Sequence, residues 1–285
     1  MSLLKDDHKI NSLPLTSHKV NMNTLIIIPP SHYCEKVRRA LQLAKLRFTQ
    51  EAHPPLFHVR AVKRVGGRRT TPTLVTSEGT LDDSCLILEW IQGRPESAWR
   101  PYGDVPALVD EIKEWERYFG DHFGPHTRRF AYYQLFKLPK EISLPSIVEG
   151  APLNEQRWTS RLWPIIKLLM KKSMKIDEGG FARSRRKIDA CFERVAQAHC
   201  GEGYLVGDQL SAADLSFATL AAPLILPKQY GAKLPSLEAL PLALQEELIA
   251  YREHPAGQLA LKIYDEIERR LTEAPPNEQG SLQQM

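Results

Sequence analysis

The sequence predicts two folded parts of different class, an α/β domain followed by an all-helical domain. Three observations predict it. Between Asn21 and Trp90 the apolar spacing switches repeatedly between the strand and the helix repeat. Beyond Gly93–Pro106, a stretch rich in proline and glycine, only the helix repeat persists. The chain has 285 residues, more than one core usually organises. A composition of 42% hydrophobic and 25% charged residues is that of an ordinary globular protein, which excludes disorder across the whole chain.

The first element is the β-branched run Asn23-Thr24-Leu25-Ile26-Ile27-Ile28, stopped by Pro29-Pro30, and it reads as a buried strand. Ser31 to about Leu46 follows as a helix. Its apolar residues Val37, Ala40, Leu41 and Ala44 share one face, and Glu35, Lys36, Arg38, Arg39 and Lys45 fall mostly on the others. Arg47–His53 reads as a second strand ended by Pro54-Pro55, and Leu56–Val65 as a short helix stopped by Gly66-Gly67. Thr73–Thr76 and Thr80-Leu81 flank Ser77-Glu78-Gly79 as a hairpin, and Asp82-Asp83-Ser84 opens a helix over Cys85–Ile91. The order βαβαββα implies a mixed sheet with helices packed on it. Helices are then expected over Ala107–Phe119, Trp163–Lys175, Phe181–His199, Ser211–Leu226, Glu238–Arg252 and Ala256–Leu271, with an irregular excursion over Leu138–Pro152. The domain plan is therefore a flexible leader over 1–20, an α/β domain over 21–93, a linker over 94–106, a helical domain over 107–272 and a polar tail over 273–285.

Charge and cysteines narrow the function classes. With 38 Lys+Arg against 34 Asp+Glu the net charge is +4, too dilute to argue for a nucleic-acid partner. The longest apolar runs, Leu25–Pro30 and Phe217–Pro227, fall far short of the roughly 18–20 residues a bilayer span needs, so no integral membrane association is expected. Met1–Val20 lacks the apolar centre of a secretory signal. Cys34, Cys85, Cys191 and Cys200 have neither metal-site nor disulfide-framework spacing. Free thiols, no metal and a cytoplasmic location are expected. Arg157–Lys175 carries six cations among Leu, Ile, Met and Trp residues, a pattern shared by membrane-surface helices and, more often, by helices with one solvated face.

Four constellations bear on chemistry. Ser31, at the handover from strand to helix, places a hydroxyl beside unpaired N–H groups that favour an anion, and Cys34 one turn on is expected to have a lowered pKa by the same effect. An ordinary N-cap and a buried core thiol are the competing readings. Thr71-Pro72 opens a strand, with a cis or a trans bond. Asp83-Ser84 opens a helix and suits the two charges of an amino-acid head group, or simple capping. Ser211 and Asp214 form a capping box at the mouth of the most apolar helix, a structural feature.

In order, Ser31-His32-Tyr33-Cys34, Thr71-Pro72, Asp83-Ser84 and Ser211-Ala212-Ala213-Asp214 resemble the glutathione S-transferase superfamily, over roughly Asn21 to Leu271. The resemblance implies a thioredoxin-like N-terminal domain and a helical-bundle C-terminal domain. It implies glutathione as co-substrate, a small hydrophobic electrophile as its partner, and a homodimer. It places the hydroxyl of Ser31 on the glutathione sulfur, the Thr71 backbone on the cysteinyl part beside a cis Pro72, and Asp83 with Ser84 on the γ-glutamyl end. Arg69, Arg68 and Lys63 are available for the glycyl carboxylate. Trp115, Tyr118, Phe119, Tyr132 and Tyr133 are candidate walls of the second-substrate site. The expected activity is thiol activation for attack on the electrophile. The alternatives are a non-catalytic scaffold of the same fold and a Cys34-dependent thiol–disulfide oxidoreductase. The Gly120–Gly180 region is enlarged.

Overall fold

The computed structural model describes residues 22–199, 201 and 203–273. The leader 1–20, Cys200 and the tail beyond 273 lie outside the described residues. The N-terminal part is built as β1 (Asn23–Ile27), α1 (His32–Leu43), β2 (Phe48–Ala52), α2 (His58–Arg64), β3 (Thr73–Thr76), β4 (Gly79–Leu81) and α3 (Ser84–Gln92). The sheet order is β2-β1-β3-β4. The β1–β2 pair is parallel, and the β1–β3 and β3–β4 pairs are antiparallel. The alternation of β1 decides which layer each side chain joins. Leu25 and Ile27 enter the main core with α1 and α3, and Ile26 points to the opposite face, against Ala61 and Val62 of α2. The expected order and the mixed sheet are both present.

The C-terminal part is helical: α4 (Pro106–Tyr118), a π-helical turn (Phe119–Phe123), α5 (Gly124–Leu135), α6 (Lys140–Val148), α7 (Leu153–Met174), α8 (Glu178–Ala198), α9 (Ala212–Ile225), a 3₁₀ turn (Leu237–Ala239), α10 (Leu242–Glu253) and α11 (Pro255–Thr272). Helix α9 is buried along nearly its whole length and forms the axis around which α1, α4, α5, α10 and α11 pack. Its entry is held by the expected capping box. The Asp214 carboxylate accepts from Leu205 N (2.7 Å), Ser211 N (3.0 Å) and Ser211 Oγ (2.8 Å), and Ser211 Oγ accepts from Ala213 N (3.2 Å). Burial pushes this carboxyl up, and the N–H and O–H donors work the other way.

Three expectations are corrected. Leu138–Pro152 is not irregular, because Pro139 and Pro152 sit at helix N-caps, where a missing N–H costs nothing, and so start α6 and α7 rather than break them. Helix α7 begins at Leu153 and runs through Pro164, and α5 occupies a stretch to which the sequence assigns no helix. Finally, Glu35, Lys36, Arg38 and Arg39 of α1 do not face solvent. Helix α1 lies between α3 on one side and α9 and α11 on the other, so no face is left for water. Its charges are neutralised internally. Lys36 Nζ meets Glu116 Oε1 at 2.6 Å, Arg39 Nε meets Glu35 Oε1 at 2.8 Å, and Arg38 also pairs with Glu35.

The segment between α3 and α4 is docked rather than loose. Trp99 and Tyr102 are buried, Trp99 Nε1 donates to Leu210 O (2.9 Å), and Ala212 N donates to Pro101 O (2.6 Å). The enlarged region has a small core of its own, formed by Tyr133, Phe136, Ile147, Trp163, Ile166, Met170 and Ile176.

Candidate active site

The turn from β1 to α1 is fixed by Ser31, the N-cap of α1. Its backbone is extended, and its Oγ accepts from Cys34 N at 3.4 Å. Ser31 lines a cavity of about 330 Å³ between the two domains. Thr71 and Arg69 line the same cavity from the segment before β3, and the Thr71–Pro72 bond is cis. The structure brings Ser31, Thr71 and Arg69 together at one cavity.

The three cationic candidates separate by their partners. Arg68 is tied to Asp82, through its backbone N–H (2.7 Å) and its guanidinium (Nε, 3.1 Å). Arg69 has no ion pair among the described residues and faces the cavity. Lys63 is exposed and is absent from the cavity lining. His58, on α2, donates through Nε2 to Arg69 O (3.2 Å), and its Nδ1 is buried without a hydrogen-bond partner among the described residues. Burial lowers its pKa, which favours the neutral ring.

Asp83 and Ser84 are not in the cavity lining. The Asp83 carboxylate caps α3, accepting from Cys85 N (2.8 Å) and Leu86 N (3.4 Å) through Oδ1, and Ser84 is buried behind it. Among the described residues Oδ2 of Asp83 has no hydrogen-bond donor. Cys34 is fully buried behind Ser31, with its thiol against the hydroxyls of Ser31 and Thr71. Burial pushes this thiol up, and the two hydroxyls offset the shift only in part. The expected lowering at the helix terminus is overturned because desolvation outweighs the local dipole when no water reaches the sulfur. Tyr33 donates its hydroxyl to Gly120 O (2.6 Å), and burial drives its pKa well up. A Cβ at Gly124 would collide with the Tyr33 ring, so the glycine permits this close approach of α5 to α1.

The helical wall departs from the expected one. Of the five aromatic candidates only Tyr132 lines the cavity. Phe119 packs on Phe217 in the core (5.2 Å), Trp115 and Tyr118 hold Arg194 between their rings, and Tyr133 bonds Glu178. The wall is instead Leu135 and Leu138, Met170 and Met174 of α7, and Leu244 and Leu248 of α10. Several polar groups of the lining were missed, His58 and Gln134 among them. Arg128 of α5 lies 5.9 Å over the Tyr33 ring, and Tyr230 fastens the loop after α9 to Pro30 O (3.1 Å). Burial pushes the Tyr132 hydroxyl up to about 12, with Arg128 acting against it. The cavity lining contains Arg69 and Arg128 but no carboxylate.

Residues 25–99 match the family model described as the glutathione S-transferase N-terminal domain. The chain has the glutathione S-transferase fold. Among solved structures similar to this glutathione S-transferase-like chain is the β-etherase LigF of Sphingobium sp. strain SYK-6. It is 18% identical, with 85% of this chain and 99% of that chain covered and a TM-score of 0.52. Glutathione transferase F2 of Populus trichocarpa is 15% identical, with 88% and 100% covered and a TM-score of 0.54. A glutathione S-transferase of Methylobacterium radiotolerans, in complex with glutathione sulfonate, is 18% identical, with 85% and 95% covered and a TM-score of 0.50. At these identities the likeness is one of fold. No curated protein sequence matches the chain. No described helix is long and apolar enough to cross a membrane, and no metal-binding cluster occurs among the described residues.

Proposed function

We propose that the protein is a glutathione transferase of the serine type, which activates the glutathione thiol for attack on a small hydrophobic electrophile. The observation that carries this reading is Ser31, whose hydroxyl is held by the backbone N–H of Cys34 at the lining of an interdomain cavity that Arg69, without an ion pair among the described residues, also lines. The orphan Nδ1 of His58, in the same lining, is a further polar group that fits a peptide ligand, and Asp83 lies outside that lining at the start of α3. The glutathione sulfonate held by a structural neighbour supports the same co-substrate.

In this reading Arg69 takes the glycyl carboxylate, the Thr71 backbone pairs with the cysteinyl part, and Asp83 with Ser84 receives the γ-glutamyl end. Ser31 donates a hydrogen bond to the sulfur, and the N-terminus of α1 adds its dipole, so the thiolate is favoured at neutral pH. Each unit by which the thiol pKa falls is worth about 1.4 kcal/mol of preference for the charged form. The sulfur lone pair forms the new C–S bond, and the leaving group departs with its electron pair. The Leu and Met wall favours an apolar electrophile, and Arg128 stands ready for charge developing on its far side.

Calorimetric titration of glutathione tests the binding step. Asp83→Asn is the informative variant, because the amide oxygen keeps the cap on α3 while removing the charge. Binding that this variant weakens supports the reading. Absence of binding at millimolar glutathione overturns it in favour of a non-catalytic scaffold. Ser31→Ala is expected to lower kcat/KM for conjugation about 100-fold, the scale of one lost hydrogen bond to a developing anion. A Cys34-dependent exchange is disfavoured by the burial of that sulfur.

A further inference from the structure

Helix α7 exposes side chains that a solvated helix normally hides. Thr159, Trp163, Ile166 and Met170 form one stripe and are buried. Trp158, Leu162, Ile165 and Leu169 repeat at the same spacing on the adjoining face and are all exposed, Trp158 by 51% and Ile165 by 55%. Leu168 extends the patch at 66% exposure. Scattered exposed leucines need no explanation, but a continuous apolar face along one helix marks an interaction surface.

The charges beside it say what kind. Arg157, Arg161, Lys171, Lys172 and Lys175 are exposed, and none forms an ion pair among the described residues. Arg161 lies 5.7 Å over the Trp158 ring, so cation and apolar stripe share one edge. The only acid of the helix, Glu155, turns away to His53 Nδ1 at 2.8 Å. A second copy of the chain on this face would bring two unneutralised basic rows together, which is repulsive. An anionic lipid surface neutralises the cations and accepts the apolar stripe at its acyl boundary.

We infer that α7 docks in the plane of an anionic membrane surface, with its Trp158–Leu169 stripe in the lipid and its basic row on the headgroups. Met170 and Met174, on the other side of the same helix, line the interdomain cavity. Docking therefore places lipid and cavity on opposite sides of one helix. The inference does not depend on the glutathione reading.

Co-sedimentation of the full chain with vesicles tests it. Binding is expected to phosphatidylglycerol–phosphatidylcholine vesicles and not to pure phosphatidylcholine, and is expected to fall as salt is raised to about 0.5 M. Lys171→Glu with Lys172→Glu, and separately Ile165→Asp, should each weaken it about tenfold or more. Both changes lie at exposed positions, and unchanged circular dichroism confirms the fold. No binding to anionic vesicles, equal binding to neutral ones, or a dimer in solution that Ile165→Asp dissociates would overturn the inference. The last result would assign the face to a second copy.

Discussion

Helices α1 and α7 invert each other. Helix α1 buries Glu35, Lys36, Arg38 and Arg39, whereas α7 exposes Trp158, Leu162, Ile165 and Leu169. Both are amphipathic, and in both the residue types argue for the opposite placement. The difference lies in what surrounds each helix. Helix α1 is enclosed by both domains, so its charges must find partners inside, and they do so in Glu35, Glu116 and the backbone N–H of Gly231. Helix α7 packs one stripe on α6 and the small second core, and over the next it has no neighbour among the described residues. Burial follows enclosure, and a single helix cannot report how many sides will be covered.

The comparison can be broken hardest at Lys36. Burial acts against its ammonium, but Glu116 outweighs that cost and raises its pKa, while the same pairing lowers that of Glu116. Lys36→Met should leave a buried carboxylate unpaired and destabilise the protein by about 3–5 kcal/mol in urea unfolding. Lys36→Met with Glu116→Leu should recover most of that loss. A single variant of wild-type stability would show that the pair does not hold α1 between the domains.

Two adjacent positions sharpen the contrast within α7. Ile166 is buried and Ile165 is not. Ile166→Ala should cost about 2–4 kcal/mol. Ile165→Ala should stay within about 0.5 kcal/mol. Equal losses, by thermal or denaturant unfolding, would mean that the exposed stripe is covered in solution.

The most gradual expected effect, small at any one pH near neutrality, is at the start of α1. His32 is buried between Gly124 O (3.0 Å) and Thr127 Oγ1 (3.3 Å), and desolvation lowers its pKa from 6.5 to about 3. The unfolded chain therefore binds a proton that the folded chain refuses. This group's contribution to stability is present above pH 6.5 and is lost as pH falls from 6.5 toward 3, by about 1.4 kcal/mol per pH unit. The stability difference between wild type and His32→Gln, measured from pH 7 down to the acid limit of folding, should shrink by that slope. A pH-independent difference would show that His32 takes up its proton as readily in the fold as in the unfolded chain.

Much of this was legible in the residues. The run from β1 to α3, the hairpin at Gly79 and the capping box at Ser211 and Asp214 depend on local rules of period, turn and cap, and those rules act within a few residues. The same locality placed Ser31 at a helix start and Asp83 at another. The lowered pKa expected for Cys34 failed because desolvation is set by what covers a sulfur, not by its place on a helix. Arg128 and the Leu and Met wall were not legible, since they come from α5, α7 and α10 and meet only across the cleft.

By itself, then, the sequence determined the elements of the α/β part, their order and the helix starts at Ser31, Asp83 and Ser211, because each rests on contacts between near neighbours in the chain. Only the tertiary structure decided that the charges of α1 are internal, that Arg69 rather than Arg68 faces the cavity, and that one side of α7 is left bare. Those outcomes depend on which distant surfaces meet. Desolvation and pairing follow from that meeting, and neither is written in the spacing of a single segment.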